Sequence, residues 1–236
     1  MGGNLRRIPQ RELLDGDLVS DEAAAESLGD LRLVNRLFGG VHTTADLLRR
    51  AMRATGLASA SVLEVAAGDG YSITRATAKL RDDNLAVEPH CLDRRGLQEQ
   101  ARCCERSMVG NALELNFPPD SFDFVSCGLF VHHLDPAQVI TFVNGALRVA
   151  RRALLINDLR RSPLHLALVY AGMPILRSPI SRFDSVASVR QAYTPLELHE
   201  LMQQTEAEAF EIRTRYLFRM GAIAWKRTAK VVPRAA

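Results

Sequence analysis

The stretch Ser61–Tyr71, reading Ser-Val-Leu-Glu-Val-Ala-Ala-Gly-Asp-Gly-Tyr, constrains the fold more than any other part of this chain. Val62, Leu63 and Val65 form a short apolar run that suits a central parallel strand covered on both faces. The turn that follows, Ala66-Ala67-Gly68-Asp69-Gly70, opens a helix. Gly68 and Gly70 give the backbone freedom and remove the Cβ atoms that would hold a ligand away from the turn. Glu64 lies inside the strand. A carboxylate there is costly to bury unless a cation or several donors meet it.

A dinucleotide fold with G-x-G-x-x-G competes for the same segment. It lacks its third glycine here, because Thr74 and Arg75 follow with no small residue in register. An acid inside the strand also has no purpose beside a pyrophosphate.

With 236 residues, the chain can form one α/β domain with a sizeable core, but not two full ones. Its net charge of +3 does not call for nucleic acid, and no aromatics are interleaved with basic residues to make a stacking surface. No stretch reaches the ~20 apolar residues of a spanning helix, so no integral membrane segment is expected. The N-terminus lacks the apolar core of a secretory signal, and Arg6 breaks the myristoylation pattern. Cys91, Cys103, Cys104 and Cys127 show no C-x-x-C spacing, which predicts reduced, mostly buried thiols in a cytoplasmic protein.

Along the chain, residues 1–20 read as an exposed lead-in. Ser20 caps a first helix, an amphipathic segment from Leu31 stops at Gly39-Gly40, and a third helix covers about Thr44 to Thr55. After the glycine turn, strands are predicted at Leu85–Asp93, at Asp123–Cys127 and at Ala153–Asp158, with helices between them. Residues 159–192 break the alternation with an apolar, proline-punctuated stretch that reads as a helical lid. Thr194-Pro195 restarts a helix, and two strands close the chain at about 209–216 and 220–226. Residues from Lys230 read as a frayed tail.

The arrangement E-x-x-x-G-x-G at Glu64–Gly70 resembles motif I of class I S-adenosylmethionine (SAM)-dependent methyltransferases. Phe117-Pro-Pro-Asp-Ser-Phe-Asp-Phe-Val and Phe130-Val131-His132-His133-Leu134 resemble further segments of that family's small-molecule enzymes. Ala66 stands where the family usually has glycine, and Glu64 where Asp is commoner. The resemblance implies that Glu64 faces the ammonium of the methionine moiety and that Ala66, Gly68, Asp69 and Gly70 pass under the ribose and methionine. It places Asn111 and Ala112 at the adenine, with the Asn111 carbonyl as acceptor, and Cys127 against the methionine part.

For the ribose hydroxyls two acids compete, Glu88 and Asp93, which lie 18 and 23 residues past Gly70. Asp93 is chosen, because Pro89 would interrupt a central ladder at Glu88. Arg94 then lies against the adenine. His133 is the favoured base, oriented by Asp158, with His132 the fallback. Asn35, Arg36, Arg182 and Tyr193 are substrate candidates from the lid side, where an arginine suits a carboxylate or phenolate. His132, His133 and Asp158 are residue types that permit a metal, but the fourth-strand tip lacks the acid of metal-dependent catechol-type enzymes, so none is expected.

The expected fold is α/β: a Rossmann-like seven-stranded sheet, mostly parallel with an antiparallel C-terminal strand and helices on both faces. Residues 1–55 form an N-terminal helical extension, and 56–236 a methyltransferase domain with a lid insert at about 159–192. The expected activity is SAM-dependent methyl transfer, leaving S-adenosylhomocysteine (SAH), to a small, largely apolar acceptor of aromatic or polyketide type, on oxygen with a histidine base. C-methylation of a quinone- or lipid-like substrate, a dinucleotide-dependent reductase and a non-catalytic SAM-fold protein are the alternatives. The expected partner is the small-molecule acceptor, with membrane-surface contact through the lid allowed, and the chain a monomer or homodimer.

Overall fold

The computed structural model describes residues 5–16, 19–95 and 104–227. Seven strands form one sheet in the order β3-β2-β1-β4-β5-β7-β6. They are β1 (Ser59–Val65), β2 (Ala86–Asp93), β3 (Ser107–Val109), β4 (Phe122–Gly128), β5 (Ala150–Leu159), β6 (Ala209–Arg215) and β7 (Arg219–Trp225). The first five run parallel, and β7 lies antiparallel between β5 and β6.

Successive side chains of a strand point to opposite faces, and β1 divides the core accordingly. Leu63 and Val65 pack with Val139, Phe142 and Val143 of α4 (Pro136–Val149) and Leu198 and Met202 of α7 (Pro195–Met202). Ala60 and Val62 pack with Leu47, Leu48 and Met52 of α2 (Gly40–Thr55) and Ile73 and Leu80 of α3 (Tyr71–Leu80). The helix start predicted at Thr194-Pro195 is present: Thr194 and Glu197 form a reciprocal capping box, as Asp135 and Gln138 do at the start of α4. Asp123 joins β4 to β1 by accepting from Ser61 N at 2.9 Å and Ser61 Oγ at 3.0 Å.

Several expectations change. The two helices predicted either side of Gly29-Asp30 are one helix, α1 (Asp21–Leu37), because its buried face carries Ala24, Ser27 and Asp30 continuously. Pro89 lies inside β2, opposite Val62 of β1. It is tolerated because β3 pairs with Cys91–Asp93, so among the described residues no ladder partner stands on the other side of Pro89. The insert consists of α5 (Pro163–Gly172), a 3-10 turn and α6 (Pro179–Gln191).

Residues 5–16 are no exposed lead-in. Leu13 N and Leu14 N donate to the Asp184 carboxylate of α6 at 2.7 and 3.0 Å, and Arg7 donates to the carbonyls of Gln191 and Leu134 at 2.7 and 2.9 Å. Glu12 is buried. Cys103, the core of the helix expected between Asp93 and Gly110, and the tail from Lys230 lie outside the described residues.

Candidate functional site

Parallel strands end together, so the loops after β1, β2, β4 and β5 meet along one edge of the sheet. The turn after β1 winds through left-handed backbone at Ala66 (φ 53°), Gly68 (φ 56°) and Gly70 (φ 78°). This conformation costs an L-residue about 1–2 kcal/mol, which accounts for glycine being usual at the first of these positions. At Gly70 a side chain has no room either: a Cβ would lie 2.6 Å from Cys104 Cβ and 3.1 Å from Cys91 Sγ. Gly70→Ala is therefore expected to destabilise the fold by about 2–4 kcal/mol. A urea midpoint equal to the parent's would contradict that.

Glu64 is 3% exposed, between Cys91 of β2 and Ser126 of β4 in the sheet register. Burial outweighs a hydrogen bond from Ser126 and pushes its carboxyl up to about 7. Its Oε2 has no hydrogen-bond partner among the described residues, and Oε1 faces Gly128, where a Cβ would stand 3.5 Å away. A buried acid left unpaired beside two glycine-bearing loops is the feature expected of a seat for a cation.

Asp93 ends β2 and reaches back to the same turn. Its Oδ2 accepts from Gly68 N at 2.7 Å, and its Oδ1 from Arg95 N at 2.9 Å. Glu64 precedes this turn by two residues on β1, and Asp93, at the end of the neighbouring strand β2, bonds the turn itself. Asp69 is buried and held by Arg32 of α1 and by Tyr71 N at 2.9 Å. Arg94 extends into solvent and donates to the Asp15 carbonyl at 2.7 Å. Asn111 is exposed, with its Oδ1 accepting from Leu113 N at 3.0 Å, while Ala112 packs on the core. Cys127 is buried beside Val65 of β1, and burial raises its thiol.

The two histidines occupy a 3-10 turn after β4, Val131–His133. His132 points inward: its Nδ1 lies 2.6 Å from Asp158 Oδ1, and its backbone N donates to Asp158 Oδ2 at 3.0 Å. Asp158 therefore orients His132, not His133 as the sequence reading had it. Burial disfavours a charged ring, but Asp158 and Glu12 outweigh it and raise His132 to about 10. The His133 side chain is 21% exposed, and its Nδ1 lies 2.9 Å from Asp15 Oδ2. Glu12 faces both rings, with Oε1 3.3 Å from His132 Nε2 and Oε2 3.7 Å from His133 Nε2. Ser188 and Gln191 donate to its Oε1.

The substrate candidates separate. Asn35 Oδ1 accepts from Arg219 at 2.9 Å, the Tyr193 hydroxyl donates to the Leu134 carbonyl at 2.8 Å, and Arg182 donates to the Leu176 carbonyl. Arg36 is exposed at the end of α1. Glu12 and Asp15 went unnoticed in the sequence. Both lie in the stretch 1–20 that reads as an exposed lead-in, and only the fold brings them to histidines more than 100 residues away.

Residues 63–154, which hold Glu64, the glycine turn, Asp93 and both histidines, match the family model described as a methyltransferase domain. That segment is thus similar to a methyltransferase domain, in the stretch where the sequence resembles the class I SAM-dependent enzymes. An O-methyltransferase family 2 protein from Planctomyces limnophilus, solved with apigenin, is 19% identical with a TM-score of 0.60. The superposition covers 90% of this chain and 63% of that one. Human N-acetylserotonin methyltransferase with SAM is 14% identical, with a TM-score of 0.60, over 89% of this chain and 57% of that one. A plantazolicin methyltransferase, solved with a pentazolic desmethyl analog and SAH, is 12% identical, with a TM-score of 0.60. There the shares are 88% and 96%. At such identities the likeness is one of methyltransferase fold. The chain spans less than two thirds of the length of the Planctomyces and human proteins. Comparison with curated proteins finds no match.

Proposed function

We propose that this protein is a SAM-dependent methyltransferase that binds SAM at the β1–β2 edge and methylates a hydroxyl of a small, largely apolar acceptor in the cytoplasm. The observation that carries the reading is Glu64, a buried carboxylate with one oxygen unpaired among the described residues and the other facing Gly128 at the tip of β4, on the strand that leads into the glycine turn Asp93 braces. SAM supplies an amino-acid ammonium to such an acid, ribose hydroxyls to Asp93, and an electrophilic methyl group on sulfur. Its presence in the human structure, and that of SAH in the plantazolicin methyltransferase, support the assignment.

The chain's own work is to position and to deprotonate. In-line displacement needs the acceptor oxygen held along the sulfur–methyl axis, and a hydroxyl needs a base within hydrogen-bond reach. The His132-His133 turn lies on the same edge of the sheet as Glu64. His133 is the base candidate because its ring is partly open to solvent, whereas His132 is locked by Asp158.

The exposed apolar side chains Leu164, Leu168 and Ile175 of the insert, with Phe183 of α6, favour an apolar acceptor reached from the lid side. No helix among the described residues is long and apolar enough to cross a membrane. The test is calorimetric titration with SAH, followed by transfer of labelled methyl from SAM to a panel of phenols and hydroxylated polyketides. Micromolar-scale binding and label on an acceptor oxygen are expected. Absence of SAH binding would refute the reading, and label on carbon would move it to C-methylation.

A further inference from the structure

Where residues 5–16 meet the turn after β4, the side chains form a donor set that methyl transfer from SAM does not require. We infer that Glu12, His132 and His133 bind a divalent transition-metal ion. Two imidazoles and one carboxylate are the ligand set of many sites that keep a position open for a further ligand. One ligand atom from each of the three lies within 4.8 Å of the others. The Glu12 oxygens stand 3.3 Å from His132 Nε2 and 3.7 Å from His133 Nε2. Metal–ligand bonds of about 2.0–2.1 Å place neighbouring ligand atoms about 3.3 Å apart around a tetrahedral ion, so the cluster closes on an ion with small side-chain movements.

A second observation points the same way. His132 Nε2 is buried in a side chain 2% exposed, and it makes no hydrogen bond despite facing Glu12. The outer groups are those that metal-bound histidines carry, each holding Nδ1 so that Nε2 is left for the ion. Asp158 does this for His132 at 2.6 Å, and Asp15 for His133 at 2.9 Å. Ser188 and Gln191 fix Glu12 in the same way. A ring nitrogen that ligates cannot also remove a proton. An ion here would move acceptor activation from the histidines to Lewis-acid polarisation of the acceptor oxygen.

The experiment uses the full chain, stripped with a chelator and titrated with Co2+ alone, so it is independent of SAM binding. The expected result is saturable visible absorption ending at about one Co2+ per chain and displaced by Zn2+. Glu12→Gln and His133→Gln should each weaken binding by about 100-fold, and Asp158→Asn by about tenfold. His199→Gln, an exposed histidine of α7 outside the cluster, should bind as the parent does. If Glu12→Gln fails to fold, His133→Gln, altered at a partly exposed ring, carries the comparison. Two results would overturn the inference: no saturable Co2+ binding by the parent protein, or binding that His133→Gln leaves unchanged. Either would leave a protonated His132 between Asp158 and Glu12 as the whole account of the cluster.

Discussion

Asp93→Ala is expected to weaken SAH binding by at least about 100-fold while leaving the fold intact. A carboxylate that accepts from two ribose hydroxyls makes charge-assisted hydrogen bonds of roughly 1.5–3 kcal/mol each. The substitution also removes the acceptor for Gly68 N, which fixes the glycine turn proposed to lie under the cofactor. Both effects act on the same ligand, so the loss exceeds that from removing a contact alone. Asp93→Asn keeps one acceptor oxygen and should fall between the two. Calorimetry with SAH, beside a thermal melt, separates lost affinity from lost structure. A fully folded Asp93→Ala protein that binds SAH as tightly as the parent would assign the ribose elsewhere.

Glu64 gives the second large effect, and its sign follows from burial. With its carboxyl pushed up to about 7, the free protein holds Glu64 neutral below that pH and charged above it. A ligand ammonium favours the charged form, so affinity should rise with pH, by about tenfold between pH 6 and pH 8, and then level off. Glu64→Gln should bind at least about tenfold more weakly at pH 8 and lose most of this dependence. The same linkage acts on folding. An acid raised in the folded state favours folding while neutral, so ligand-free stability should decline between about pH 4.5 and 7 from this group. A parent protein whose SAH affinity is flat from pH 6 to 8 would contradict the proposed pairing.

What the sequence disclosed was local or periodic. The β1 run, the glycine turn, the Asp135 and Thr194 caps and the closing pair of strands all depend on residues within a few positions of each other. The residues around the histidines were not legible in that way. Glu12 and Asp15 are ordinary acids in a polar stretch, and they acquire a role only when Asp184 and Gln191 of α6 draw that stretch against the β4 turn. Asp158 was found but given to the wrong ring, because spacing alone does not say which of two adjacent side chains turns inward. Pro89 misled as an interruption because the sequence does not show how short β3 is. Asn35 looked available to a ligand, yet Arg219, buried in β7 and held also by Phe38 O and Asn157 Oδ1, takes its oxygen.

That arginine bears on how the chain is assembled during synthesis. β7 slots between β5 and β6 although it is made after both, and its first residue locks the junction of α1 and α2 made near the beginning. A nascent chain on the ribosome thus carries β5 with one flank open until Arg219–Trp225 has emerged. Completion of the sheet and anchoring of the opening helices become one late event, so chains cut short before Arg219 should be sticky rather than merely inactive.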